Sequence, residues 1–303
     1  MAQKKLLTNY NPALTDACLG VLAMLLSAVG EWKKDIVLIG GLVPHLIIKR
    51  QPSAASGYVG TGDVDLVVDL AVMADPKAYS TFEDALEKLK FKPLAEEGKA
   101  SWKWEYAIND RTKIQVELLM DDPDLEGSKV KAIPEHGKLA ACNIPHSSIV
   151  FDLYDTITVK VDSPDGGGIT EQEVRHANLV AFTVLKIFAF RSRREGKDTH
   201  DLVYCLQHCG ETIEAVADRF VETLAAEHGT VIQKGLDELA ATFGDTADTE
   251  GFRRDGPTMA ALFEIPGDSA DERERRLILQ RDFAGVVNRL LSEISKRRPK
   301  AAG

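Results

Sequence analysis

Cysteine is scarce and unpatterned: Cys18, Cys142, Cys205 and Cys209 are the only four in 303 residues. That number and spacing excludes a disulfide framework and a CxxC zinc module, and points to reduced thiols in a cytoplasmic protein. Cys205, His208 and Cys209 stand close enough to suggest a metal clip, but no fourth ligand is evident and the segment reads as an apolar helix, so core packing is expected. Long apolar runs are lacking too. The stretch Cys18 to Gly30 lies behind Lys4 and Lys5 like the apolar part of a signal peptide, yet Asn9, Asn11, Pro12 and Asp16 precede it. It is shorter than the roughly 20 residues that cross a bilayer, so a buried N-terminal helix and no membrane partner are expected. Basic charge is in deficit, with 37 Lys and Arg against 47 Asp and Glu and a net charge of −10. This excludes the broad basic surface of a general nucleic-acid coat protein while permitting a local basic patch. There is no internal repeat and no low-complexity tract.

What is present is a chain able to build a core, with 44% hydrophobic and 28% charged residues. Its length predicts two domains. Residues 14–30 read as a helix and 35–40 as a short buried strand ending at Gly40-Gly41. A helix is expected over about 42–50, a Ser-, Gly- and Pro-rich loop over 51–62, and a second strand over 64–70. Ser80 and Glu83 form a capping box for a helix with Phe82, Ala85, Leu86 and Leu89 on one face, stopping near Phe91-Lys-Pro93. Trp102, Trp104 and Tyr106 alternate with Lys103 and Glu105, and after an Asn109-Asp110 turn the run Lys113 to Met120 reads as the hairpin partner. Ile157 to Val161 is a further strand and Asp165-Gly-Gly-Gly168 a loop. From Thr170, with Glu173 as its capping-box partner, the pattern reads as helical. Breaks fall at 243–257 and 266–270, where Ser269 and Glu272 cap a last helix to Lys296 before a basic tail. The expected class is α/β (α+β), with a mixed sheet and flanking helices in 1–168 and an α-helical domain in 169–303.

In Thr61-Gly-Asp63-Val-Asp65-Leu the acids are two apart at the start of a strand, so both project from one face. Like charges that close are costly unless a cation lies between them, and a divalent metal with oxygen preference resolves the conflict. Glu117 interrupts the apolar run Val116-Glu-Leu-Leu-Met, where a charge is expensive without function, and is the third candidate ligand. Gly40 and Gly41, at a strand end opening a helix, allow close approach of backbone N–H groups to a phosphate. In the second half, Lys186 is the one charge in the apolar helix Leu179 to Phe190. Arg193 follows two turns on, and Asp198 and Asp201 sit at i and i+3. Arg191, Arg193, Arg194 and Lys197 form a basic cluster.

Glycine pair, helix, a strand with two acids and a later strand with a third together resemble the nucleotidyltransferase superfamily. Thr61-x-Asp-Val-Asp-Leu is similar to the T-x-D-[IV]-D-[LF] form of the AbiEii-like toxin nucleotidyltransferases, which include the MenT toxins. Lys186, Ala189 and Arg193 followed by Lys197-Asp198-Thr-His-Asp201-Leu are similar to that family's K-x-x-A-x-x-x-R and [KR]-D-x-x-D-L patterns. Two departures stand out: Leu42 takes a place often held by Ser or Thr, and the gap from Gly41 to Asp63 is long. The resemblance implies Mg²⁺ (or Mn²⁺) held by Asp63, Asp65 and Glu117, and an NTP bound by Gly40, Gly41, Thr61, Lys186 and Arg193. It implies that Asp63, Asp65, Lys186 and Asp198 act in catalysis, Asp198 as base or as organiser of Lys186 and Arg193, with the helical domain completing the active site. The reaction implied moves an NMP (EC 2.7.7 type) to a hydroxyl of tRNA or of a protein side chain, in a toxin with a cognate antitoxin as partner. A small-molecule, antibiotic-type nucleotidyltransferase and a catalytically silent NTP-binding regulator are the alternatives.

Overall fold

In the computed structural model, which describes residues 12–48, 60–69, 74–132 and 137–298, the first helix α1 (Pro12–Val29) buries Val21, Leu22, Ala23 and Leu25 completely. With the turn behind it, Ala13–Asp35 is long and apolar enough to cross a bilayer, which corrects the reading that this stretch is too short. Most of its apolar window lies inside the protein, as in a core helix. Strand β1 (Ile36–Ile39) is buried along its whole length and ends at Gly40, where a 3-10 turn (Gly40–Leu42) opens the short helix α2 (Val43–Ile47). Residues 49–59, most of the expected loop, lie outside the described residues.

Strand β2 (Asp63–Val68) returns antiparallel beside β1, with Ile39 opposite Asp65. Helix α3 (Pro76–Lys88) starts four residues before the expected capping box. Its cap is Asp75, whose carboxylate accepts from the Lys77 and Ala78 amides, with Pro76 as the first helical residue. Ser80 lies inside the helix and its hydroxyl donates to the Lys77 carbonyl. An Asp followed by Pro wins because proline at that position has no N–H to leave unsatisfied.

Short β3 (Lys92–Pro93) precedes β4 (Lys103–Ala107) and β5 (Lys113–Met120), the expected hairpin, closed where the Asn109 side chain accepts from the Arg111 and Thr112 amides. Trp104 and Tyr106 are buried beneath it. Strands β6 (Val130–Ala132) and β7 (Ala140–Asn143) follow, β7 running parallel to the end of β5.

Strand β8 (Tyr154–Asp162) continues through the glycine loop into β9 (Ile169–Ala177), which corrects the helix expected from Thr170. Gln172, Val174 and His176 are buried while Glu171 and Glu173 are exposed, a period of two that a strand alone satisfies. Gly166 and Gly168, with φ of +81° and +88°, turn the chain between the two strands. β9 also pairs parallel with β1, so it is an interior strand. Among the described residues the sheet runs β3-β4-β5-β2-β1-β9-β8, with β7 and β6 attached through β5.

Described residues 12–46 and 60–178 pack as one compact unit, and 179–298 as another. β9 thus carries the first unit past residue 168. The second unit is helical: α4 (Leu179–Arg193), α5 (Gly196–His208), α6 (Ile213–Leu224), α7 (Gly229–Phe243), α8 (Asp255–Glu264) and α9 (Ala270–Arg297). The Ser269–Glu272 capping box opens α9 as expected, with both reciprocal hydrogen bonds made. Phe182, Phe190, Phe220 and Phe243 are buried in this unit, each contributing roughly 1.5–3 kcal/mol. Residues 299–303, the end of the basic tail, lie outside the described residues.

Candidate functional site

Two groups of predicted residues are brought together, each within its own unit. In the sheet unit, β2 runs parallel to β5 with Asp65 opposite Glu117 and Asp63 opposite Gln115. Strand alternation puts Val64, Leu66, Val116 and Leu118 on the buried side and leaves Asp63, Asp65 and Glu117 together on the half-exposed one. On the far side of β5, Lys103 of β4 is in register with Glu117, and its Nζ donates to Glu117 Oε1 at 2.6 Å. One row across four strands therefore reads Ile39, Asp65, Glu117, Lys103.

Gly40 closes the Asp65 end of that row. Its φ is +73°, and a Cβ built on it would lie 1.8 Å from Asp65 Oδ2. Glycine is needed there twice over, for the left-handed backbone and for the space the carboxylate occupies. Gly41 and Leu42 are buried, so the place often held by a hydroxyl is filled by core packing. Thr61 is also buried. Its Oγ1 accepts from the Asp63 amide at 3.3 Å and its own amide donates to Thr15 Oγ1, so it shapes the start of β2. Cys18 packs beside this strand, its thiol donating to the Thr61 carbonyl, and burial, with Asp63 and Asp65 adding to it, pushes that thiol up to about 12.

As a test of fit, two carboxylates two residues apart on one half-exposed strand face suit a hard cation that takes a few carboxylates and completes its shell with water and phosphate. Among the described residues no three His, Cys, Asp or Glu side chains form a ready-made metal cluster. Asp63 and Asp65 fit as a partial set, while one oxygen of Glu117 is already engaged by Lys103.

In the helical unit, α4 delivers Lys186 and Arg193, and α5 delivers Asp198 and Asp201. Lys186 Nζ donates to Asp198 Oδ1 at 3.1 Å and to Asp201 Oδ2 at 2.9 Å. Arg193 grips both oxygens of Asp198, at 2.7 and 2.6 Å, and Lys197 Nζ donates to Asp201 Oδ2 at 2.6 Å. Both aspartates have 0% exposure. Burial is the largest single influence and raises their carboxyls, but the cations together outweigh it, Lys186 with Arg193 at Asp198 and Lys186 with Lys197 at Asp201, and both are held below the ordinary range. Burial likewise works against the charged form of Lys186, and Asp201 and Asp198 overcome it, raising the ammonium above its usual value. The two acids thus stay ionised and hold the cations in place.

The remaining basic cluster is locally balanced: Arg191 pairs with Glu238 and Arg194 with Asp255, both at 2.8 Å. Cys205 and Cys209 are buried thiols of this helical core.

Reading by residue type alone misses Lys103, His200 and Glu264. The hairpin around Asn109-Asp110 is legible in the sequence but its register is not: a two-residue turn there would set 103 opposite 116, and the three-residue turn between Ile108 and Thr112 sets it opposite 117. His200 lies between Asp201 and Glu264, 3.7 Å from one and 3.5 Å from the other, on a contact from α8 that sequence spacing does not encode.

A family model described as nucleotidyltransferase matches residues 19–228. No curated protein and no solved structure matches the chain.

Proposed function

The chain belongs to the nucleotidyltransferase family, and on that premise we propose that it transfers an NMP from an NTP to an acceptor hydroxyl, as an AbiEii-like enzyme of the toxin type. The observation that carries the reading is the row on the strand face, where Asp63 and Asp65 project together and Gly40 leaves the room that the Asp65 carboxylate occupies. Asp63 and Asp65 would hold Mg²⁺ or Mn²⁺, whose chemistry is to offset charge on the transferred phosphoryl group.

Gly40 makes room for the Asp65 carboxylate, and the register of β1, β2 and β5 fixes the acids before substrate arrives. The family resemblance supports a triphosphate role for Lys186 and Arg193, and Asp198, with both oxygens occupied within the helical unit, suits an organiser of those cations better than a base. The acceptor oxygen bonds to the α-phosphorus with loss of the hydroxyl proton as the bond to the bridging oxygen breaks, releasing pyrophosphate. The family resemblance supports tRNA or a protein side chain as acceptor, an antitoxin as partner and action in the cytoplasm.

Incubation of the purified protein and Mg²⁺ with each labelled NTP, with total tRNA or with the protein alone, tests this. Label on RNA or on the protein is expected, and Asp65→Asn or Lys186→Ala should reduce transfer at least about a hundredfold. Unchanged transfer in both variants would sink the residue assignment. The buried Leu42 supports one other reading, a regulator, which tight NTP binding without any transfer would favour.

A further inference from the structure

The strand-face row is polarised, with the Asp65 carboxylate packed against Gly40 at one end and an ammonium at the Glu117 end. Lys103 is held in that place by more than one contact. β4 sets it opposite Glu117 in the ladder, its Nζ lies 4.3 Å from the centroid of the Trp102 ring, and the pair is only partly exposed, at 33% for Lys103 and 17% for Glu117. A carboxylate paired in this way has already met its need for positive charge, and a divalent ion approaching it would be repelled by the neighbouring ammonium. Asp63 has Gln115 as its neighbour on β5, and Asp65 lies between Ile39 of β1 and Glu117 of β5.

We infer that Lys103 is a positioning residue that keeps Glu117 as its own counter-ion, so that a divalent cation on this face is held by Asp63 and Asp65 and not by Glu117. The inference rests on the metal-dependent reading above. Lys103 serves as a fixed cation in the row, and Glu117 anchors it.

Mn²⁺ binding followed by electron paramagnetic resonance reads this without any turnover. Asp63→Asn and Asp65→Asn should each weaken Mn²⁺ binding by about tenfold or more, whereas Glu117→Gln should change it less than about twofold. Lys103→Met should free Glu117 and tighten binding about tenfold, and adding Glu117→Gln to Lys103→Met should return the affinity to that of the native chain. Lys103→Arg keeps the ion pair and should bind Mn²⁺ as the native chain does, which guards against a Lys103→Met variant that fails to fold. Weakening by Glu117→Gln in the native background as large as that by Asp65→Asn overturns the inference and leaves the metal reading intact. Absence of Mn²⁺ binding, or binding indifferent to Asp63→Asn and Asp65→Asn, overturns the metal reading and the inference with it.

Discussion

At Gly40 the backbone sits at a φ of +73° and the missing Cβ leaves room for the Asp65 carboxylate. Gly40→Ala should therefore cost about 1–3 kcal/mol through backbone strain and displace Asp65. Chemical denaturation measures the first effect and the transfer assay the second. Retained activity would show that the Asp65 carboxylate need not lie where it does. Lys186 tests a different kind of dependence. It is the shared partner of two aspartates with no exposure, so Lys186→Met should destabilise the chain by about 3–5 kcal/mol by leaving each buried carboxylate with one cation, Arg193 at Asp198 and Lys197 at Asp201. Urea titration at pH 7 checks this, and a loss below about 1 kcal/mol would mean that Arg193 and Lys197 suffice for the two aspartates.

Helix starts offer a sharper contrast between local signals. Both Asp75-Pro76 and Ser80–Glu83 look like openings of α3, and the chain uses the first. Asp75→Ala should cost about 0.5–2 kcal/mol, while Ser80→Ala, inside the helix, should stay within about 0.5 kcal/mol. Equal losses would show that the helix frays to its second start. In β8 and β9 the cue that misleads is also local: Thr170 and Glu173 match a capping box, but burial of Gln172, Val174 and His176 obeys strand alternation. Pairing with β1 on one side and β8 on the other supplies hydrogen bonds that outweigh the propensity of a four-residue motif.

Over the molecule as a whole, charge has two consequences. The folded-state carboxyls of Asp198 and Asp201 lie below their unfolded values, so their contribution to stability is present above about pH 4 and is lost as pH falls through the lower folded values. Lys186 is raised, so its contribution is complete below about pH 10 and is lost as pH rises further. Calorimetry between pH 5 and 2 should accordingly show a steeper fall in Tm for the native chain than for Asp201→Asn, and parallel curves would contradict this. The second consequence concerns the acceptor. The net charge is −10, and within the basic cluster Arg191, Arg193, Arg194 and Lys197 are each beside a carboxylate, which weakens that cluster as a site for displacing counterions from RNA. Where the proposed acceptor is RNA, the slope of log affinity against log salt should fall well short of the roughly −5 that six phosphate contacts give. A slope that steep would point to a larger basic surface.

The acid pair at Asp63 and Asp65, the hairpin around Asn109, the Ser269 cap and the apolar helix interrupted by Lys186 could all be read from the chain, because periods of two or 3.6 and short-range caps are written in neighbouring residues. Glu117 was recognisable from its cost in an apolar run. Which side chains meet was another matter. That Glu117 faces Lys103 as well as Asp65, that Asp201 is shared by Lys186 and Lys197, and that residues 169–177 join the sheet all depend on partners distant in sequence. Local pattern sets what each segment can become. Strand register and burial, which act between segments, choose among those possibilities and decide which charges end up side by side.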